Sequence, residues 1–276
     1  MKSYYFISGL PRSGSTLLSG ILKQNPDFYA DIASPVQGLT GTSIDVITSG
    51  ENNLNITEDQ RKNLMYGVFD GYYKHIDKPV IFDSCRGWTK KTPFLKALFP
   101  YTKILCPVRD IVSILNSFEM ILNQNCFYTK QINEKVFSQN IFIRIQELFE
   151  RVVINYYYFL KEGYALNPEM IHFIEYENLC KEPKKTIRGV YEFLEKPYYS
   201  HDFENVEYSN ENFDKSCNLK DLHTVKRKVE YNPPRCILPP EIAQKYNEMN
   251  MEFWKEGHKI DIDIIEKLDK KFIEYK

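Results

Sequence analysis

The chain has 276 residues, of which 43% are hydrophobic, so it is long enough to bury the core of one α/β domain and requires no second domain. Its 36 basic and 37 acidic residues give a formal net charge of -1, which excludes a global electrostatic attraction to nucleic acid or to an anionic membrane. Any anion-binding site must therefore be local.

The six cysteines indicate a reducing environment rather than a disulfide framework. They show no C-x-x-C spacing, and we interpret them as reduced, mostly packing residues: Cys85, Cys106, Cys126, Cys180, Cys217 and Cys236. The predicted first strand begins within a few residues of Met1, which leaves no room for a secretory signal. No apolar run comes near the roughly 18 residues that a membrane-spanning helix needs. We therefore expect a cytoplasmic protein without a membrane span.

The start of the chain predicts a strand, a polar loop and a helix. A β-prone run over residues 4–7 ends at Gly9, and an apolar helix face begins at Leu17. Between them lies GLPRSGST, residues 9–16, with two glycines five positions apart and hydroxyl residues at the helix start. The backbone N–H groups of such a loop can converge on a phosphate, and the helix dipole adds positive potential. The sequence therefore predicts a phosphate-binding loop.

The loop lacks one residue that ATP- and GTP-binding loops contain. Their pattern is G-x-x-x-x-G-K-[ST], in which the lysine reaches the β- and γ-phosphates. Gly9 and Gly14 keep the glycine spacing, but Ser15 stands where that lysine belongs, and the cation comes earlier, as Arg12. Such a loop is poorly suited to hold a γ-phosphate, whereas an arginine can polarise a bridging oxygen between two anionic groups.

The loop sequence PRSGST resembles that of the sulfotransferases that use 3′-phosphoadenosine 5′-phosphosulfate (PAPS) and release 3′-phosphoadenosine 5′-phosphate (PAP). Its arginine form is similar to the tyrosylprotein and bacterial branches, since the cytosolic steroid and phenol enzymes carry lysine there. The resemblance implies that the backbone N–H groups of Ser13, Gly14, Ser15 and Thr16 and the hydroxyls of the last two hold the 5′-phosphosulfate. It also implies that Arg12 stabilises the departing charge and that no metal is required.

The rest of the chain predicts alternating strands and helices. Short apolar runs predict strands near residue 28 and at 80–82, 103–108 and 170–176. Helices are predicted after Thr57, over about 133–163, from Pro183 to about Leu194, and within a C-terminal segment, 240–276. Continuously apolar strands are typical of a parallel sheet covered on both faces. We therefore expect a doubly wound α/β fold, a single domain over 1–276, with sites at the carboxyl ends of the strands.

Three of these segments carry more specific predictions. Residues 38–56 are rich in Gly, Ser, Thr and Asn with weak periodicity, which favours a mobile loop that contacts the acceptor. The helix after Thr57 is expected to bury Leu64, Val68, Phe69 and Tyr72. The segment 133–163 is expected to bury an apolar stripe composed of Phe137, Ile141, Ile145, Leu148, Val152, Tyr156 and Phe159.

A second anchor lies in KILCPVRDIVSILNSF. Arg109 follows a predicted strand and Ser117 lies eight residues later, a little over two helical turns, so both can face one pocket. In the sulfotransferases that the chain resembles, an arginine and a serine at this spacing bind the 3′-phosphate of the nucleotide. The alternative is an ion pair between Arg109 and Asp110 at the helix start, with Ser117 on the surface. Two phosphate sites on one sheet edge favour a nucleotide phosphorylated at both positions.

Three further stretches extend the resemblance. Lys91, in KKTP, corresponds to the lysine that neutralises charge on the transferring sulfuryl group. Tyr176, in EYENL, corresponds to the tyrosine that meets the adenine. The stretch LHTVKRKVEY resembles the late basic loop that closes over the 3′-phosphate, and of its cations we retain Arg227 and Lys228. Each has a structural alternative: a solvated lysine, a core tyrosine and a solvated charge run.

The general base is the least determined part of the site. The histidine that follows K-T in the cytosolic branch is replaced by Pro93, and the glutamate of the tyrosylprotein branch falls near Ala33. We choose Asp83, because it ends a buried strand and is followed by Arg86, which could hold it ionised. The alternatives are Asp31 and His75.

These observations predict a PAPS-dependent sulfotransferase that acts on a hydroxyl or amine acceptor. Carbohydrate, peptide, lipid and small-molecule acceptors remain open, and nothing in the sequence indicates an oligomeric state. A divergent nucleoside or nucleotide kinase is one alternative, and a non-catalytic PAP-binding protein is another.

Overall fold

A computed structural model describes residues 2–125, 140–208, 214, 223, 225 and 228–255. This part of the chain contains a five-stranded parallel sheet with the strand order β2-β3-β1-β4-β5. The strands are β1 (Ser3–Ile7), β2 (Phe28–Ala30), β3 (Val80–Ser84), β4 (Ile104–Val108) and β5 (Ile171–Glu175). The predicted α/β class with a parallel sheet is confirmed.

Helices connect the strands and lie on both faces of the sheet. They are α1 (Ser15–Leu22), α2 (Val36–Ile47), α3 (Asn52–Asn55), α4 (Glu58–Tyr72), α5 (Thr92–Leu98), α6 (Ile111–Gln124), α7 (Ile141–Leu148), α8 (Ile154–Leu166), α9 (Tyr176–Lys181), α10 (Pro183–Phe193) and α11 (Pro240–Glu248). Short 3-10 helices cover Thr89–Lys91, Pro168–Met170 and Phe253–Lys255. None of the helices in these described ranges is long and apolar enough to cross a membrane.

The side chains of the central strand, β1, alternate between the two faces of the sheet, and each face carries a hydrophobic core. Tyr4 and Phe6 join the cluster that contains residues of α4, α5 and α6, whereas Tyr5 and Ile7 join the cluster formed with α1 and α10. Successive side chains of a strand point to opposite faces, so one apolar strand serves both layers. The carboxyl ends of β1, β3 and β4 therefore meet at one edge between the two layers.

The stretch 38–56 corrects one prediction, because it is largely helical. Helix α2 covers Val36–Ile47 and α3 covers Asn52–Asn55, so residues 38–47 are not an irregular loop. Helix α2 packs on α4 and buries only Val36, Thr40 and Ile47. Glycine and β-branched residues lower helix propensity, but tertiary packing overrides it. The acceptor role of this stretch remains a prediction.

Helix α4 begins as predicted. Thr57 accepts a hydrogen bond from the backbone N–H of Gln60, and the Gln60 side chain accepts one from the Thr57 N–H, which completes a capping box. The buried residues of this helix are Met65 and Phe69, whereas Leu64 is 47% exposed. The prediction was therefore wrong at Leu64, because the next residue, Met65, is the one that is buried.

The long helical segment is described from residue 140 onward, so Phe137 lies outside the described residues. Ile145 and Leu148 are buried as predicted. A π-helical segment, Phe149–Val153, then interrupts the α-helical pattern. A π-turn adds a residue to the turn, and the buried positions shift by one, from the predicted Val152, Tyr156 and Phe159 to Val153, Tyr157 and Leu160. At the C-terminal segment, α11 begins at Pro240 as predicted, and residues 256–276 lie outside the described ranges.

Candidate active site

The loop after β1 adopts a conformation that depends on its two glycines. Gly14 precedes α1 with a φ of 91°, in the left-handed region that favours glycine. A Cβ atom at Gly9 would lie 2.1 Å from the carbonyl oxygen of Pro107 on β4, so this position admits no side chain. Arg12 also has a positive φ, 56°. The loop is thus pressed against β4 and turned so that α1 begins at its end.

Ser13 fastens this loop to the sheet. Its hydroxyl lies 2.5 Å from the carbonyl oxygen of Leu10 and 2.8 Å from that of Pro107. The residue is fully buried, and both carbonyl oxygens occupy its hydroxyl. Its predicted part in phosphate binding is therefore restricted to the main chain.

A cleft of about 380 Å³ opens beside this loop. It is lined by eight of the residues predicted from the sequence: Arg12, Gly14, Ser15, Thr16, Arg109, Ser117, Tyr176 and Lys228. It is also lined by residues that were not predicted as ligands, among them Arg86, His223 and Glu230. The loop after β1, the start of α6 and the late segment around residue 228 thus form walls of one cleft.

The two predicted phosphate anchors contact each other. Arg12 Nε donates a hydrogen bond to Ser117 Oγ at 3.1 Å, and Arg109 Nη1 donates to the carbonyl oxygen of Arg12 at 3.3 Å. Asp110 does not form the alternative ion pair with Arg109. Its carboxylate instead caps α6 by accepting a hydrogen bond from the Ser113 N–H at 2.7 Å. The cap fixes the start of α6 and with it the direction of Ser117.

Tyr176 forms the floor beneath the loop. The ring lies so close to Gly14 that a Cβ there would be 2.7 Å from Tyr176 Cδ2. The guanidinium carbon of Arg109 lies 4.3 Å from the centroid of the same ring, within the range of a cation–π contact. Burial raises the pKa of Tyr176 to about 12, so its phenol is protonated at neutral pH. The proposed adenine contact of this residue remains a prediction.

Three guanidinium groups give the cleft its charge. Burial, together with the positive charges of Arg86 and Arg109, lowers the pKa of Arg12 to about 10. Repulsion between these positive charges favours the binding of an anion, because the anion reduces that repulsion. Arg86 follows β3 as Arg109 follows β4, and its guanidinium carbon lies 5.6 Å from the ring centroid of Tyr156. Arg86 and Arg109 thus occupy equivalent positions just after a strand. This equivalence could have identified Arg86 as a candidate ligand from the sequence.

Lys91 does not reach this cleft. It lies at the end of the 3-10 helix Thr89–Lys91, is partly buried, and is not among the described residues that line the cleft. The neighbouring Lys90 lies over the ring of Phe159, 4.7 Å from its centroid. Arg86 is therefore better placed than Lys91 as the second cation beside Arg12.

The late basic segment is described only in part. Lys228 lines the cleft, and its Nζ lies 2.9 Å from a carboxylate oxygen of Glu204, at a position exposed to solvent. An exposed pair of this kind is weak and can exchange Glu204 for a ligand phosphate. Arg227 lies outside the described residues.

The structure does not place Asp83, the predicted general base, at the cleft. It is fully buried and is not among the described residues that line the cleft. Its carboxylate accepts hydrogen bonds from Ser34 Oγ at 2.6 Å, Tyr73 Oη at 2.7 Å and Trp88 Nε1 at 2.6 Å. Burial raises its pKa, and the charge of Arg86 is not among the causes. The side chain alternates with the strand and points into the core, which sequence position alone did not reveal.

The alternatives Asp31 and His75 also lie away from the cleft. Asp31 accepts hydrogen bonds from the Tyr208 hydroxyl and, at 2.8 Å, from the Ile32 N–H. His75 is exposed and lies between α4 and the beginning of β3, at the sheet edge opposite the phosphate loop. Neither residue is among the described lining of the cleft.

A histidine that the sequence analysis did not select does line the cleft. His223 Nδ1 lies 2.7 Å from Asp214 Oδ1, and the His223 backbone N–H donates to Asp214 Oδ2 at 3.0 Å. Both side chains are buried. His223 belongs to the stretch LHTVKRKVEY, in which only the cations had been considered, and the histidine in that stretch was the missed signal, whereas Asp214 lies before it.

A sequence profile described as "Sulfotransferase family" matches residues 5–200, more than half of the chain. The chain belongs to the sulfotransferase family. The enzyme is a transferase, and PAPS is the sulfuryl donor of this family. This finding confirms the predicted family and donor, and it decides against the nucleotide kinase.

Solved structures agree with the fold of this sulfotransferase. The sulfotransferase domain from the curacin biosynthetic pathway is 18% identical, with a TM-score of 0.52 over 90% of this chain and 91% of that one. Sulfotransferase STF9 from Mycobacterium avium is 11% identical, with a TM-score of 0.50 over 91% of this chain and 76% of that one. At these identities the likeness supports the fold alone. No curated protein sequence matches the chain.

Proposed function

We propose that this sulfotransferase binds PAPS with the 5′-phosphosulfate at residues 12–16 and the 3′-phosphate between Arg109 and Ser117. The observation that carries the proposal is the 3.1 Å hydrogen bond from Arg12 Nε to Ser117 Oγ. It joins the loop after β1 to the helix after β4, so the two phosphate sites are adjacent walls of one cleft. A cleft of about 380 Å³ falls within the usual range for small-ligand sites.

The residues of the loop fit the phosphosulfate end of this ligand. Gly14 presents its backbone at the start of α1 without a Cβ, and Ser15 and Thr16 place hydroxyls on the first turn. An N-terminal turn with unpaired N–H groups is a general anion site. Burial contributes most to the lowered pKa of Arg12, and the positive charges of Arg86 and Arg109 contribute next, so these three cations act on one another at this end of the cleft.

PAPS supplies a sulfuryl group whose transfer leaves negative charge on the bridging oxygen of the 5′-phosphate. Arg12 is placed to donate a hydrogen bond to that oxygen, and Arg86 adds a second positive charge. Preorganised donors aimed at developing charge commonly contribute factors of roughly 10²–10³ to the rate. Lys91 is not needed in this scheme, and the departing charge is stabilised by arginine alone.

The start of α2 packs against the turn after β3. Cys85 Sγ donates to Gln37 Oε1 at 3.1 Å, and a Cβ at Gly87 would lie 2.1 Å from Gln37 Nε2. Helix α2 is thus packed against the turn that carries Arg86. This contact supports the prediction that residues 38–56 help to select the hydroxyl or amine acceptor.

Three broader statements belong to the same proposal. We retain one domain over 1–276, a position near the tyrosylprotein and bacterial branches, and a cytoplasmic location. The free thiols of the described cysteines favour a reducing compartment: Cys85, Cys106, Cys180 and Cys236.

The test compares PAP with AMP, which lacks the 3′-phosphate, and with ATP, each with and without magnesium, by thermal shift. A ligand at about 100 times its Kd adds about 2.7 kcal/mol of stability. We expect PAP to stabilise the enzyme far more than AMP, without dependence on magnesium. A response to ATP only with magnesium would contradict the proposal.

Arg109→Ala tests the 3′-phosphate site directly. A charge-assisted hydrogen bond contributes about 1.5–3 kcal/mol, so we expect PAP affinity to fall by about tenfold or more while AMP affinity stays unchanged. The matched control is Arg151→Ala, which removes an exposed arginine that pairs with Glu147 at 3.7 Å. Equal PAP affinity in Arg109→Ala and the parent would refute this assignment.

A further inference from the structure

The pair formed by His223 and Asp214 is a chemically complete unit that the binding scheme does not use. The Asp214 carboxylate accepts from His223 Nδ1 at 2.7 Å and from the His223 backbone N–H at 3.0 Å. A carboxylate on Nδ1 fixes the ring orientation and the tautomer, so that Nε2 is the nitrogen able to take a proton. His223 is 8% exposed and is among the residues that line the cleft.

The late segment is attached to the second half of α1 through Tyr208, and this attachment helps to position the pair. The Val225 N–H donates to the carbonyl oxygen of Tyr208 at 3.0 Å. Tyr208 in turn packs on α1, since a Cβ at Gly20 would lie 3.1 Å from Tyr208 Cβ. His223 is therefore held two residues from an anchored point rather than on an unattached loop.

The charges around the imidazole place it at the sulfuryl end of the cleft. The charges that act on His223 include those of Asp214, Arg12 and Arg86. Arg12 and Arg86 are the cations assigned to the departing charge, and both line the cleft with His223. An acceptor that attacks sulfur beside Arg12 would therefore approach His223.

We propose that His223, oriented by Asp214, is the catalytic base that removes the proton of the acceptor hydroxyl or amine. This inference rests on the proposed function. The acceptor proton passes to Nε2 while a bond forms between the acceptor atom and sulfur. The bond between sulfur and the bridging oxygen breaks, and its electron pair remains on the 5′-phosphate of PAP beside Arg12. The imidazolium then releases its proton to water.

The protonation state of the ring suits this role. Burial lowers the pKa of His223, Asp214 opposes that shift, and the positive charges of Arg12 and Arg86 add to it. The imidazole is therefore neutral at neutral pH and able to accept a proton. The other titratable or charged described groups that line the same cleft are Arg109, Tyr176, Cys180, Lys228 and Glu230. Tyr176 and Cys180 have raised pKa values, and Glu230 is exposed and accepts from Asn232 Nδ2 at 2.5 Å.

The first experiment reads the imidazole itself. In the PAP complex of ¹⁵N-labelled enzyme, the His223 ring signals are assigned by their loss in His223→Gln, among the five histidines of the chain. We expect a neutral ring at pH 7.5 with its proton on Nδ1. An imidazolium, or a ring protonated on Nε2, would overturn the proposal without touching the assignment of the PAP site.

The second experiment separates chemistry from binding. We expect His223→Gln to slow PAP formation from PAPS in single turnover, with water as acceptor, by about 100-fold or more, since general-base catalysis contributes roughly 10²–10⁴. PAP affinity should change less than threefold, and the melting temperature confirms folding.

His75→Gln is the matched control. A tenfold weaker PAP affinity with an unchanged rate would make His223 a phosphate ligand instead, and an equal loss in Glu230→Gln would also overturn the proposal. Failure of the parent enzyme to bind PAP would instead refute the proposed function.

Asp214 is a positioning residue, and its test is the pH profile. Its negative charge raises the pKa of His223, so Asp214→Asn should lower that pKa. We expect the acid limb of the rate profile to move to lower pH while the plateau rate falls. A lower plateau with an unmoved acid limb would indicate a merely structural role and would contradict the proposed pairing.

Discussion

Two buried aspartates, Asp83 and Asp214, show how the same side chain serves different purposes in this fold. Asp83 is the last but one residue of β3, and its carboxylate accepts from three neutral donors, Ser34, Tyr73 and Trp88. None of these donors changes charge near neutral pH, and the carboxylate lies in the core. Its hydrogen bonds therefore connect β3 to α4 and to the turn after β3.

Asp214 has a different partner and a different location. Its carboxylate holds the imidazole of His223, a group that can take up a proton, and His223 lines the cleft. Burial is common to both acids, so burial alone does not distinguish a structural carboxylate from a functional one. The partner and its access to the cleft make the distinction.

The largest expected effect is a loss of stability when Asp83, the structural carboxylate of this comparison, is replaced. Asp83→Ala leaves two buried donors, on Tyr73 and Trp88, and the partly buried hydroxyl of Ser34 without their acceptor. Each unsatisfied buried donor costs about 1–3 kcal/mol. We expect a loss of at least about 2 kcal/mol, which lowers the melting temperature by about 4–8 °C at 2–4 °C per kcal/mol. Calorimetry measures this, with Asp214→Ala as the comparison, for which we expect a smaller shift. Equal shifts in the two variants would remove the distinction between the two acids.

A smaller effect, on nucleotide affinity, is expected for the cation that follows β3. Asp83 points into the core and Arg86 lines the cleft, so we assign to Arg86 the role that the sequence suggested for Lys91. Arg86→Ala should weaken PAPS binding by about tenfold, in line with one charge-assisted contact, and PAP binding by less. Lys91→Ala should leave both affinities unchanged. Titration calorimetry with PAPS and PAP tests this, and the reverse ranking of the two variants would restore Lys91.

Much of this architecture was predictable because its signals are local. The strands are continuous apolar runs, and the phosphate loop needs only Gly9 and Gly14 at the right spacing before a helix. The spacing of Arg109 and Ser117 likewise follows from helix geometry, and the structure places both at the cleft. Local pattern therefore predicted the sheet and two walls of the cleft in which we propose that the donor binds.

The remaining features depend on contacts between distant parts of the chain. The direction of Asp83 is fixed by donors from Ser34 and Tyr73, which no local pattern connects to β3. His223 gains its role from Asp214, nine positions away in an aperiodic stretch. The π-helical segment Phe149–Val153 shifted the buried stripe by one residue, because a period of 3.6 does not anticipate an inserted residue.

The smallest expected effect is the pH dependence that Asp83 gives to stability. Burial raises the pKa of Asp83 in the folded enzyme, so folding favours its protonated form. The resulting stability is full below the ordinary carboxyl pKa, about 3.9, and is lost as the pH rises through the raised folded value. Asp83→Asn stays neutral at every pH, while all other groups titrate alike in the two proteins. We therefore expect the parent to lose melting temperature relative to Asp83→Asn between pH 4 and pH 8, as measured by calorimetry. A difference that is constant with pH, or that changes in the parent's favour, would show that the three donors hold Asp83 fully ionised, and both buried acids would then be charged.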